Sequence, residues 1–99
     1  MVYYVAHSYG GKQENVRRAK RITHDLQMND MENCYICPLT AFSHLAYKEI
    51  GYDNEMALCL DLLSVCDVLI VASEASEGVQ REIDFANLVG MEVKYLEND

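Results

Sequence analysis

Hydrophobic residues fall into two kinds of run along the chain, unbroken and periodic, and the two kinds alternate. Val2 to His7 is almost continuously apolar, the mark of a strand buried on both faces. Ser8-Tyr9-Gly10-Gly11-Lys12 follows as a glycine turn. From Glu14 the spacing becomes helical, with Val16, Ala19, Ile22, Thr23 and Leu26 on one stripe. Cys34 to Pro38 reads as a second, short strand. Residues 39–52 are irregular, rich in Ser, Thr, Tyr and His, and read as a loop with one helical turn. Asp53 or Asn54 then caps a helix through Met56, Cys59, Leu60 and Leu63 that ends near Cys66. Asp67 introduces Val68 to Ala72, the most strand-like run of all. After a polar loop, Ser73 to Gly78, a third helix runs from about Gly78 to Val89, with Gly90 as its left-handed stop. In Met91 to Leu96, Val93 and Tyr95 alternate with Glu92 and Lys94, as on an edge strand.

The order is therefore β-α-β-α-β-α-β in one α/β domain over residues 1–99, which implies a parallel sheet with helices on both faces. Right-handed crossovers leave few topologies. The most apolar runs, first and third, belong in the middle and the alternating fourth at an edge. The expected order is 2-1-3-4, a small flavodoxin-like or Rossmann-like sheet. In such sheets ligands bind beyond the carboxyl ends of the strands, where the winding reverses. That point lies between strands one and three, so Ser8–Lys12 and Ser73–Gly78 are the loops to search.

Composition narrows the function classes. The net charge of −8 argues against a nucleic-acid partner, because phosphate neutralisation needs clustered Lys and Arg. Five of the eight basic residues (Lys12, Arg17, Arg18, Lys20, Arg21) nonetheless lie in the first helix region, a solvated helix face or a patch that can hold one small anion or a partner's acidic face. No unbroken run of aliphatic or aromatic residues exceeds five, so no membrane partner is expected. The first residues lack a basic region leading into an apolar stretch, so no secretory leader is expected and the cytoplasm is the expected compartment. Cys34-Tyr35-Ile36-Cys37 is formally C-x-x-C, but on a strand residues three apart face opposite ways. The four cysteines read as reduced core residues, and no metal spacing is found.

Glu82 is the most informative residue. Around the third helix it falls between Ala86 and Val89 on the inward side, away from Gln80, Arg81 and Asp84. A carboxylate there is costly to desolvate without partners, and the helix N-terminus and the hydroxyls of Tyr9 or Ser76 are the expected ones. Gly10 and Gly11 can offer backbone N–H groups, Ser76-Glu77-Gly78 a helix cap or an anion site, and His7 a ring at the end of the first strand. Lys12, bordering the same cleft, completes an expected site for a phosphate or carboxylate.

The same residues carry a resemblance. Tyr4-Val5-Ala6-His7-Ser8-Tyr9-Gly10-Gly11-Lys12 with Asn15, and Ser76-Glu77-Gly78-Val79-Gln80-Arg81-Glu82 with Ala86, resemble the nucleoside 2-deoxyribosyltransferase-like superfamily. The likeness is strongest to a small branch common in phages and Gram-positive bacteria. It implies glycosidic-bond chemistry, base exchange or hydrolysis, on a 2-deoxyribonucleoside or its 5′-monophosphate, without a cofactor. Glu82 would be the nucleophile, Tyr9 would orient it, and Ser76 would contact the sugar's 5′ oxygen or phosphate, with Ser8, Gly10, Gly11, Lys12, Gly78 and His7 around the substrate. The second acid of that pattern lies eight residues before the strand-opening Asp, and here that position is Cys59. The alternatives are a non-catalytic module that binds or senses a nucleotide-like ligand, and an oligomeric adaptor with a vestigial cleft. A homo-oligomer is expected, because Met56, Leu58, Cys59, Leu60, Leu62 and Leu63 give the second helix more apolar surface than one sheet face covers.

Overall fold

A computed structural model describes residues 1–96. Four parallel strands, β1 (Val2–Ala6), β2 (Cys34–Ile36), β3 (Val68–Val71) and β4 (Glu92–Tyr95), form one sheet in the order β2-β1-β3-β4. Tyr3 pairs with Tyr35 on one side and Val68 on the other, and Val68 pairs with Glu92. All four residues of β3 are buried, whereas β4 carries three exposed ones. Central strands read as continuous apolar runs and an edge strand as an alternation because of that difference.

Period-two alternation sends β1 side chains to both faces. Tyr4 and Ala6 pack with Leu69 and Val71 under α3 (Tyr47–Ser64) and α4 (Glu77–Val89), through Leu63, Val79, Ile83 and Ala86. Val5 and Ala72 face the other way, against Ala19 and Ile22 of α1 (Gln13–Met28) and Leu39 of α2 (Pro38–Ala41). Leu60 and Leu62 also pack onto the α3/α4 side, so part of the surface expected to need a partner is covered within the chain.

Residues 39–52 hold more helix than the irregular pattern suggests. Pro38 opens α2, where a missing N–H costs nothing. α3 begins at Tyr47 rather than at Asp53 or Asn54 and is kinked at Gly51, whose φ of 77° no ordinary helix residue adopts. The kink resets the helical phase, so no single 3.6-residue period spans the element. Cys34 is exposed, unlike the other three cysteines, because β2 is an edge strand; all four thiols are free. No helix among the described residues is long and apolar enough to cross a membrane.

Candidate functional site

Two adjoining cavities open at the carboxyl ends of the strands. The smaller, about 200 Å³, lies between the loop after β1, the N-terminus of α4 and the kinked helix α3. Its wall takes His7, Tyr9 and Gly10 from the first, Ser76, Gly78 and Glu82 from the second, and Tyr52, Glu55 and Cys59 from the third. The larger, about 520 Å³, extends from it toward Phe42, His44 and Ile50, and the two share Tyr9, Pro38, Leu39, Tyr47, Glu55 and Cys59. Tyr9 meets Tyr47 edge-on at 5.8 Å between ring centroids, where the cavities join.

Glu82 lies on the inward face of α4, as the helical period predicts, and only 5% of its surface is exposed. Its carboxylate accepts a hydrogen bond from the Tyr4 hydroxyl, and no salt bridge among the described residues involves it. Burial pushes its pKa up to about 7, the nearby Glu55 charge pushes the same way, and the Tyr4 bond pulls against both. Tyr4 is held well above the ordinary tyrosine value, chiefly by burial and then by the Glu82 charge. Cys59 touches the same hydroxyl; burial and then the Glu82 charge raise its thiol to about 12, so it stays protonated near neutrality.

The partner of Glu82 is thus Tyr4, neither Tyr9 nor Ser76. Tyr4 points to the α3/α4 face by strand alternation, beneath Glu82, while Tyr9 stands past the strand end against Tyr47. Ser76 is the N-cap of α4, its Oγ accepting from the Val79 nitrogen at 3.3 Å. Ser8 lines neither cavity. Its nitrogen donates to Ser73 Oγ at 2.8 Å and its hydroxyl to the Glu74 carbonyl at 2.9 Å, fastening the loop after β1 to the loop after β3.

Lys12 is also outside both cavities, which removes the cation expected beside the cleft. Gly10 and Gly11 have φ of 58° and 72°, and the Lys12 nitrogen closes their turn on the Tyr9 carbonyl at 3.0 Å. That reversal lays Gly10 along the smaller cavity and Gly11 along the larger, and leaves Lys12 exposed at the start of α1. His7 is 5% exposed; its Nδ1 donates to the Ser8 carbonyl at 2.7 Å.

Sequence reasoning missed three residues. Tyr4 was visible only as a core residue of β1. Glu55 lines both cavities and is raised by burial; its spacing of one helical turn before Cys59 was the available signal. Tyr52 follows the kink at Gly51, which no helical period reveals. Among the described residues no cluster of three or more His, Cys, Asp or Glu is placed to hold a metal ion.

No curated protein and no solved structure matches the chain. One family model does, across residues 1–96, and the chain accordingly belongs to the family described as Domain of unknown function (DUF7768).

Proposed function

We propose that the cleft carries out chemistry at the glycosidic bond of a 2-deoxyribonucleoside or its 5′-monophosphate, with Glu82 as nucleophile. One observation carries this reading: a carboxylate only 5% exposed on a cavity wall at the switch point, hydrogen-bonded by Tyr4 and without a salt bridge among the described residues. Burying such a group costs several kcal/mol in stability, a cost out of place in a purely structural helix. In the forward step a Glu82 oxygen attacks the anomeric carbon, and the bond to the base breaks with its electron pair leaving on the base nitrogen. Glu55, raised by burial, is suited to protonate that nitrogen. Water or a second base then gives its proton to the Glu55 carboxylate and attacks the same carbon, and the bond to Glu82 breaks to release its carboxylate, as in two-step retaining glycosidases. Four free thiols fit a cytoplasmic setting.

The thiol of Cys59 favours a second reading, binding without turnover, because a group held near 12 supplies no acid at neutral pH. Incubation with a panel of 2-deoxyribonucleosides and their 5′-monophosphates, followed by chromatography for free base, separates the two. Base release that disappears in Glu82→Gln supports the nucleophile. Tight binding with no released base from any member supports the binding module.

A further inference from the structure

Two buried side-chain polar atoms have no hydrogen-bond partner among the described residues, His7 Nε2 and the Tyr52 hydroxyl, and both residues line the cavity that Glu82 lines. Buried polar groups in folded proteins are almost always paired, so each orphan calls for an explanation. Chance placement of both on one small cavity is a poor one. The chemistry of each atom is defined. A carbonyl only accepts, so the Nδ1 of His7 carries the proton donated to the Ser8 carbonyl, and in the neutral ring Nε2 presents a bare lone pair. The Tyr52 hydroxyl can donate and accept. Its ring is fixed from outside by the Arg81 guanidinium, 5.7 Å from the ring centroid, and its hydroxyl lies beside Gly78 at the start of α4. A Cβ there would be in ordinary contact with the Tyr52 oxygen at 3.8 Å and would crowd the Met56 sulfur at 3.3 Å.

We propose that His7 and Tyr52 form a hydroxyl-binding subsite beside Glu82: a ligand hydroxyl donates to His7 Nε2, and a ligand oxygen pairs with the Tyr52 hydroxyl. The subsite suits a neutral hydroxylated group such as a sugar ring and not a phosphate. Glu55, Glu77 and Glu82 are the charged residues on this wall, with no Lys or Arg among them. The N-terminus of α4 offers about half a positive charge, less than the carboxylates set against it. The inference rests on the glycosidic reading only for its choice of probe, 2′-deoxyadenosine.

A site built to bond a hydroxyl rejects the analogue that lacks it far more strongly than an apolar pocket rejects an added group. The test is calorimetry of the full chain with 2′-deoxyadenosine and with its 3′-deoxy and 5′-deoxy analogues, alongside nitrogen-15 spectra of the His7 ring. One analogue should bind at least ~10-fold more weakly than the parent. The parent, and not that analogue, should move the His7 Nε2 resonance, and Tyr52→Phe should weaken the parent roughly five- to tenfold. Equal affinity for all three, no binding of the parent, or an unmoved His7 resonance at saturation would overturn the subsite. Base release measured on the same samples reports separately on Glu82. A moved resonance without released base keeps the subsite and overturns the chemistry; released base with an unmoved resonance does the reverse.

Discussion

The two ends of the sheet use similar residue types to opposite effect. At the amino ends of the strands the side chains of Asn29, Asp30 and Asn33 in the α1–β2 turn all find partners. Gln27 donates to the Asp30 and Asn33 carbonyls at 2.9 and 2.7 Å and accepts from the Tyr35 nitrogen at 2.9 Å. Asn33 and the Tyr35 hydroxyl both donate to Asp30, each at 2.8 Å, and these bonds hold its carboxyl below the usual carboxylate range. Asp67 joins β1 to β3 by accepting from the Val2 nitrogen at 2.7 Å while its own nitrogen donates to the Val2 carbonyl. At the carboxyl ends the same kinds of group are left hungry. A glutamate is buried and raised toward neutrality, a histidine nitrogen and a tyrosine hydroxyl are unpaired, and two consecutive glycines adopt left-handed backbone. One end is organised to hold the fold together, and the other gives up stability at the cleft where we propose that a ligand enters.

The sharpest way to break this comparison is Glu82→Gln. The amide fills nearly the same volume and can still accept from Tyr4, so the fold should persist while turnover of a 2-deoxyribonucleoside falls by roughly a thousandfold or more. Full activity in the variant would remove Glu82 from the chemistry and leave the contrast between the ends without a function.

Stability against pH comes next in size. Below the ordinary carboxylate range Glu82 is protonated in both folded and unfolded chains and costs nothing. Between its unfolded value near 4.5 and its folded value of about 7, the unfolded chain ionises first, so the folded state binds more protons and loses stability as pH rises. The loss should reach about 3 kcal/mol and level off above pH 7. Glu55, also raised, adds in the same direction, while the Tyr4 hydroxyl bond limits the loss. Denaturant titrations across this window should show the Glu82→Gln variant gaining on the parent as pH increases. Parallel curves would mean that Glu82 is not held as a raised acid.

Tyr4→Phe tests what holds that acid. With the donor gone, the hydrogen bond that lowers the Glu82 pKa is lost, so the acid limb of the activity profile should move further above neutrality. The protein should also lose about 1–3 kcal/mol, measured above pH 7 where the carboxylate is charged. An unchanged limb would show that Tyr4 does not govern the ionisation.

How much of this contrast is visible in the sequence follows from which signals are periodic. The sheet order was legible because Val68 to Val71 is uniformly apolar and Glu92 to Tyr95 alternates, and burial on two faces or one produces those patterns directly. Glu82 was legible because a helix repeats every 3.6 residues and it breaks an otherwise apolar face. Tyr4 was not, since a tyrosine in a buried strand looks like core whether or not its hydroxyl has work to do. The place of Lys12 was hidden by turn geometry: two left-handed residues decide where the next side chain goes, and no pattern of hydrophobicity encodes that. Tyr52 was concealed in the same way by the kink at Gly51.

The smallest effect is the one that compares the two ends most directly, the removal of a single tyrosine hydroxyl from each. At the amino end, Tyr35→Phe deletes a 2.8 Å bond to the Asp30 carboxylate and keeps the ring stacked on Tyr3, 4.8 Å away between centroids. That variant should lose about 1 kcal/mol. At the carboxyl end, Tyr52→Phe deletes a buried hydroxyl that bonds to nothing among the described residues, so the unliganded chain should be unchanged or gain about 1 kcal/mol. Chemical denaturation of both variants without ligand reads the difference. Opposite signs would confirm that one end is satisfied and the other waits for a partner. A loss of similar size in both would mean that Tyr52 is bonded within the protein, and the unpaired character of the carboxyl end would rest on His7 alone.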